Sequence, residues 1–183
     1  VVACTNIIQD MKDLVTIIGR PNVGKSTLFN RLTETRDAIT DSTAGTTRDR
    51  KYGKAEWGGR VFTVIDTGGY ATGTDDVFEK VIRDQVEISM EEAGVIMFLV
   101  DAQTGITDLD LEIVQMVRKS GKPVMLIVNK IDTGVQEYLT AEFYGLGLGD
   151  VLHGISANNG YGTGDLLDEL MKLLPVREEP DDL

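Results

Sequence analysis

The sequence holds one cysteine, one histidine and one tryptophan in 183 residues, and only 18 basic residues against 30 acidic ones. A lone Cys4 cannot close an internal disulfide, which excludes a disulfide-stapled scaffold and makes a reducing, cytoplasmic setting the expectation. His153 has no Ser, Cys or carboxylate cluster at triad or metal spacing around it, so it reads as a structural or surface residue. The formal net charge of −12 repels phosphate backbones, so little direct RNA binding by this chain is expected, and any such contact would be local. No apolar run approaches the ~20 residues of a membrane span. The longest, Val95 to Val100, is bounded by Gly94 and Asp101, so a soluble protein without a membrane partner is expected. Residues 1–10 lack both the basic region and the apolar core of a signal peptide, and residues 1–13 read as a leader or added segment.

What is present is organised around Gly19-Arg20-Pro21-Asn22-Val23-Gly24-Lys25-Ser26, two glycines four residues apart followed by Lys and Ser. An apolar run, Leu14 to Ile18, precedes it and an amphipathic segment, Thr27 to Leu32, follows, which is the strand, loop and helix setting such a loop needs. Backbone N–H groups of Val23, Gly24, Lys25 and Ser26 can surround a phosphate at the positive end of the helix dipole. Lys25 would reach the β- and γ-phosphates as a point charge, and Ser26 offers a hydroxyl to Mg²⁺, a hard cation that takes oxygen ligands.

The rest of the chain alternates strands with helices. Lys51 to Trp57 and Arg60 to Ile65 read as antiparallel strands joined by Gly58-Gly59, with Trp57 a packing residue. Helical spacing over Phe78 to Ala93 and Leu109 to Val117, buried-strand runs at Val95 to Val100 and Val124 to Val128, a weak helix near Gln136 to Tyr144, a strand at Val151 to Ile155 and a helix over Leu166 to Leu174 complete the pattern. This predicts an α/β domain over residues 14–175, with a doubly wound, mostly parallel six-stranded sheet, one antiparallel edge strand and helices on both faces. Residues 176–183 form an acidic tail or the start of a linker. Ligands of such sheets bind at the carboxyl ends of the strands, where every motif here falls.

Asp66 ends a strand and can hold Mg²⁺ through a water, while the Gly69 N–H can face a γ-phosphate. Thr47, in the polar segment Thr33 to Arg50, could add a second hydroxyl to the metal; the alternative for it is a solvated loop residue. Asn129-Lys130-Ile131-Asp132 selects the base. A carboxylate at Asp132 accepts two parallel hydrogen bonds, which guanine supplies from N1–H and its exocyclic amine and adenine does not. Asn129 would brace the phosphate loop, the Lys130 stem would cover the base, and Ala157, after Ser156, could give its N–H to the guanine carbonyl.

These motifs, with Thr27-Leu28-Phe29-Asn30, Thr47-Arg48-Asp49-Arg50, Ala55-Glu56-Trp57, Ile65-Asp66-Thr67-Gly68-Gly69 and Phe143-Tyr144-Gly145-Leu146-Gly147, resemble the translation-factor-like GTPases. More narrowly, they resemble the first GTPase domain of EngA (Der) in the TrmE, Era and EngA group. Ala44 departs from that family's pattern, where a proline is common, and Asn158-Asn159-Gly160 is only loosely similar. The resemblance implies a P-loop GTPase domain that binds GTP or GDP with Mg²⁺. It also implies that the whole protein carries a second GTPase domain and a KH-like domain and acts in assembly of the large ribosomal subunit, this chain being a fragment of it. Tyr70 takes the place of a water-orienting glutamine, and the resemblance implies that Asn22 coordinates a K⁺ ion against the phosphates instead. The plain alternative for Asn22 is a loop residue bonding its own backbone. Arg48 and Arg50 read as solvated loop residues ahead of an arginine finger in cis. Three readings stay open here: an enzyme hydrolysing GTP, a nucleotide-sensing binding module with little turnover, and the GTPase domain of a tRNA-modifying relative.

Overall fold

Strands and helices alternate along the chain as the apolar runs require. The computed structural model describes residues 13–33, 50–67 and 75–175. In order these form β1 (Leu14–Ile18), α1 (Lys25–Thr33), β2 (Lys51–Trp57), β3 (Arg60–Asp66), α2 (Asp75–Glu92), β4 (Val95–Asp101), α3 (Asp108–Ser120), β5 (Val124–Asn129), β6 (Leu152–Gly154) and α4 (Thr163–Leu173), with a 3₁₀ segment, Gly134–Leu146, between β5 and β6. The strands make one six-stranded sheet in the order β2-β3-β1-β4-β5-β6. β2 and β3 pair antiparallel, from Lys51 opposite Asp66 to Trp57 opposite Arg60, and all other pairs are parallel. Gly58 and Gly59 turn the hairpin with φ of 58° and 78°, the left-handed geometry of its tightest form.

β4 explains the layering. Each of its residues is buried, with Val95, Met97 and Leu99 in one cluster and Ile96, Phe98 and Val100 in another. This is the alternation of a strand covered on both faces. The first cluster joins α1 and α4 through Leu28, Phe29, Leu166 and Leu170, and the second joins α2, α3 and the 3₁₀ segment through Met90, Ile113, Val117 and Phe143. The chain winds to one side of β1 through β3 and β2, then crosses to the other side with β4, so the switch point lies at the carboxyl end of β1.

The helices carry their own stops. Thr107 and Asp110 form a reciprocal capping box at the start of α3, and Arg118 and Lys119 sit in its last turn before Gly121, whose φ is 66°. No basic residue stands in the last turn of α2, and the cation comes instead from Lys122, whose ammonium donates to the carbonyls of Met90, Glu91 (2.8 Å) and Ala93 (2.7 Å).

Several details differ from the expectation. The weak helix near Gln136 to Tyr144 is a 3₁₀ segment over Gly134–Leu146, begun by Thr133 and Gln136 and ended by Gly147 at φ 67°. Its Gly134, Val135 and Thr140 disfavour an α-helix, and only Phe143 and Leu146 bury. The last strand, Leu152–Gly154, is shorter at both ends than Val151 to Ile155, with Val151 exposed and Ile155 buried just beyond it, and the last helix starts earlier, at Thr163. Arg50 is neither a solvated loop residue nor a free finger. It is 5 % exposed, and its guanidinium holds Glu92 Oε1 (3.1 Å) and Gln85 Oε1 (3.1 Å) on α2, while Tyr52 donates to Glu92 Oε2 (2.9 Å). Burying that cation requires the carboxylate partner. Trp57 packs on the core as expected and donates from Nε1 to Asp168 Oδ1 at 2.8 Å. His153 is half-buried on β6, and burial lowers its pKa against the opposing pull of Glu169 and Asp165. Cys4, Arg48, Thr47, Gly69, Tyr70, residues 1–12 and the acidic tail lie outside the described residues, whereas Asp13, read above as part of the leader, is described, is buried and pairs with Arg60. Among those described, no helix is long and apolar enough to cross a membrane.

Candidate nucleotide site

The loop between β1 and α1 is shaped by close approaches. A Cβ on Gly19 would meet Leu99 O at 2.5 Å, and one on Gly24, whose φ is 105°, would collide with the Asn129 amide. Between them Asn22 takes the left-handed conformation at φ 66°, which asparagine tolerates better than most residues. Gly24 O accepts from Leu28 N at 3.0 Å and so begins the helix, which leaves the amides of Lys25, Ser26 and Thr27 without intrahelical partners at the positive end of α1.

Lys25 is 7 % exposed and donates to Arg20 O at 2.8 Å. Its pKa is lowered to about 8, chiefly by burial and further by the Arg20 guanidinium, with Asp66 pulling the other way. Asp66, the last residue of β3, pairs in register with Ile17 of β1, and Ser26 Oγ donates to its Oδ2 at 3.1 Å. Thr67 donates to Ile17 O at 2.8 Å, which holds the end of β3 beside the loop. Ser26 and Thr27 are exposed in the first turn of α1. A small cleft lined by Gly19, Pro21, Lys25, Thr67, Ile82 and Gln85 runs from this loop to α2.

The second half of the site forms at the ends of β5 and β6. Asn129 is buried, donates from Nδ2 to Val23 O (2.8 Å) and accepts at Oδ1 from the Ala157 N–H (2.9 Å). One side chain thus ties the phosphate loop to the Ser156-Ala157 turn. Asp132 is an exposed residue, and Ser156 Oγ donates to its Oδ1 at 2.8 Å. Asn159 Nδ2 donates to the Asp132 carbonyl at 3.0 Å. Lys130 adopts φ 71° and its ammonium pairs with Asp101 Oδ2 at 2.7 Å.

The structure therefore gathers Asn22, Val23, Gly24, Lys25, Ser26, Thr27 and Asp66 in one group and Lys130, Asp132, Ser156 and Ala157 in another, with Asn129 joining the two. The Ala157 N–H, which the sequence reading offers to a guanine carbonyl, donates to Asn129 Oδ1, and the Lys130 ammonium pairs with Asp101, its stem being the part offered to the base. Sequence reasoning also passed over Arg31, which reaches from α1 to the carbonyls of Ala157 and Asn158, and Arg20, which pairs with Asp110 on α3 at 3.5 Å and donates to Thr104. No local pattern marks either arginine, because their partners are far away in sequence.

A glycine-bent loop after β1, a carboxylate at the end of β3 and the Asn129–Asp132 and Ser156–Ala157 turns after β5 and β6 have the layout of a P-loop domain of the GTPase type. Comparison with known proteins agrees. The model of the 50S ribosome-binding GTPase family matches residues 14–130, and the chain belongs to that family. It is 55 % identical over 168 residues to GTPase Der of Flavobacterium johnsoniae, covering 92 % of this chain and 38 % of that protein. The chain thus spans about two fifths of the length of the curated relatives it matches. Among solved structures it resembles a point variant of Aquifex aeolicus Era bound to GDP·AlF4⁻, with a TM-score of 0.73 and 34 % identity over 93 % of this chain and 60 % of that one. A structure of Era in complex with MgGDPNP and nucleotides 1506–1542 of 16S ribosomal RNA gives a TM-score of 0.71 and 33 % identity, with the same coverage.

Proposed function

We propose that residues 14–175 bind GTP and GDP with Mg²⁺ and hydrolyse GTP by in-line attack of water on the γ-phosphate. The observation that carries this reading is Asn129, whose carboxamide joins Val23 O to the Ala157 N–H and so couples a phosphate subsite to a base subsite. The amides of Val23 to Ser26 wrap the phosphates, and Lys25 brings its ammonium to the β- and γ-oxygens. A lysine whose charge is disfavoured by burial gains most from an anionic partner. Ser26 Oγ and the Asp66 carboxylate, 3.1 Å apart, are hard oxygen donors of the kind Mg²⁺ takes, and with Thr47 they would hold it. The ion supplies neutralisation of charge on the phosphate oxygens. Asp132 accepts the guanine N1–H and amine, Lys130 covers the base with its stem, and Ala157 reaches the guanine carbonyl by sharing the N–H that it gives to Asn129. Gly69 gives its N–H to the γ-phosphate.

Asn22 is exposed and left-handed, and among the described residues its carboxamide makes no hydrogen bond, so its oxygen suits a K⁺ ion beside the phosphates. That ion would bring the positive charge that Arg50, locked to α2, does not. In the whole protein the domain works beside a second GTPase domain and a KH-like domain in assembly of the large ribosomal subunit, in the cytoplasm, and contributes little RNA binding itself. Support for this comes from the similarity to Der and from the acidic balance of the chain.

The test compares GTP turnover by the chain in KCl and NaCl, with Asn22→Ala alongside, and titrates GTP against ATP. Faster turnover in KCl that Asn22→Ala removes is expected, together with a strong preference for GTP. Equal, negligible turnover in both salts would overturn the hydrolytic reading and leave a nucleotide sensor. ATP bound as tightly as GTP would overturn the role of Asp132.

A further inference from the structure

Arg31 lies in the last turn of α1, where a cation suits the negative end of the helix dipole. Its donors, however, do not go to that helix. Nε donates to Ala157 O at 2.6 Å and Nη2 to Asn158 O at 2.8 Å, so one planar guanidinium holds two successive carbonyls of the turn after β6. Ala157 is consequently gripped on both of its polar groups, the carbonyl by Arg31 and the N–H by Asn129. The turn is folded around the guanidinium: Gly160 has φ 92°, and a Cβ there would come within 3.0 Å of Arg31 Nη1. The same turn carries Ser156, whose hydroxyl holds Asp132 Oδ1.

We propose that Arg31 is a positioning residue for base recognition, fixing the Ser156–Asn158 turn so that Asp132 presents its carboxylate to the two donors of a guanine ring. The inference rests on the guanine-nucleotide reading above. It adds that discrimination between bases is set partly from α1, the helix that also carries Lys25 and Ser26. Loss of the clamp loosens the turn and Asp132 with it, and leaves the phosphate amides in place.

The experiment measures affinity for GDP and for inosine diphosphate, whose base lacks the exocyclic amine, with the 183-residue chain and its Arg31→Met variant. GDP affinity should fall about tenfold, the scale of losing charge-assisted hydrogen bonds from a partly buried guanidinium. Inosine diphosphate has no amine for Asp132 to hold and should lose less, so the GDP preference should drop roughly threefold or more. Arg31→Lys, which keeps a point charge but not the fork, should recover part of the preference. If Arg31→Met does not fold, Arg31→Gln, which keeps two of the three stem methylenes and one NH2 donor group, serves in the same comparison. A variant that weakens both ligands by one factor, leaving the preference unchanged, would overturn the assignment and make Arg31 a structural residue only. A wild-type chain with no preference for GDP would instead overturn the guanine reading itself, and the proposal with it.

Discussion

Replacing Gly24 and Asn129 with alanine, singly and together, separates backbone strain from loss of the loop's brace. Asn129→Ala strips the buried Val23 O and Ala157 N–H of partners now at 2.8 and 2.9 Å. An unsatisfied buried group costs about 1–3 kcal/mol, so with two such groups this variant should lose roughly 2–6 kcal/mol of stability. Gly24→Ala places a side chain at φ 105°, where the strain is on the order of 1–3 kcal/mol. It also drives the new Cβ into Asn129 Nδ2 and displaces the amide from Val23 O. In the double variant the strain persists, but the collision is gone and the bond to Val23 O can be lost only once. The double variant should therefore be less destabilised than the sum of the single ones by about 1–3 kcal/mol. Urea unfolding of the four proteins without nucleotide measures this, provided that m is unchanged. Additivity within about 0.5 kcal/mol would refute the argument, because it would mean that the two residues do not meet in solution.

Two further outcomes follow from the same structure. Lys25 titrates near 8 in the folded chain and near 10.5 when unfolded, so between those values the unfolded state binds more protons and stability rises with pH. In the absence of nucleotide, Lys25→Met should accordingly be more stable than wild type by up to about 3 kcal/mol below pH 8, with the advantage fading toward pH 10.5; denaturation at several pH values checks it, and a constant difference would contradict it. Lys122→Met removes a cation from the carbonyls of Met90, Glu91 and Ala93 and should cost about 1–2 kcal/mol, with faster hydrogen exchange in the last turn of α2 than in α3.

Residues whose partners are close in sequence announce their structure, and those with distant partners do not. The run Val95 to Val100 reads as a doubly covered strand because alternation disappears when both faces are buried, and β4 is such a strand. Gly58-Gly59 reads as a tight hairpin because only a left-handed pair closes one. The phosphate loop and Asn129 to Asp132 are visible because each group is contiguous, and the structure brings the two together where Asn129 donates to Val23 O. The 3₁₀ segment Gly134–Leu146 reads as a weak α-helix, since its glycines and β-branched residues spoil the helical stripe without indicating what replaces it. Arg31 and Lys122 carry no local signal at all, and Arg50 reads as solvated when it is buried. Their roles depend on Ala157, on the end of α2 and on Glu92, and local periodicity cannot express such pairings. Ala157 falls where the sequence puts it, but its N–H has a protein partner that a strand-end motif does not reveal.

The sheet that separates the two hydrophobic clusters also divides the molecule's susceptibility to change. A methylene trimmed from Met97 is felt by α1 and α4, the supports of the phosphate loop and of Arg31's clamp. One trimmed from its neighbour Phe98 is felt by α2, α3 and the 3₁₀ segment. A single step along β4 thus chooses which layer responds directly, and the phosphate loop feels both, through α1 on one face and through the pairing of Arg20 with Asp110 of α3 on the other.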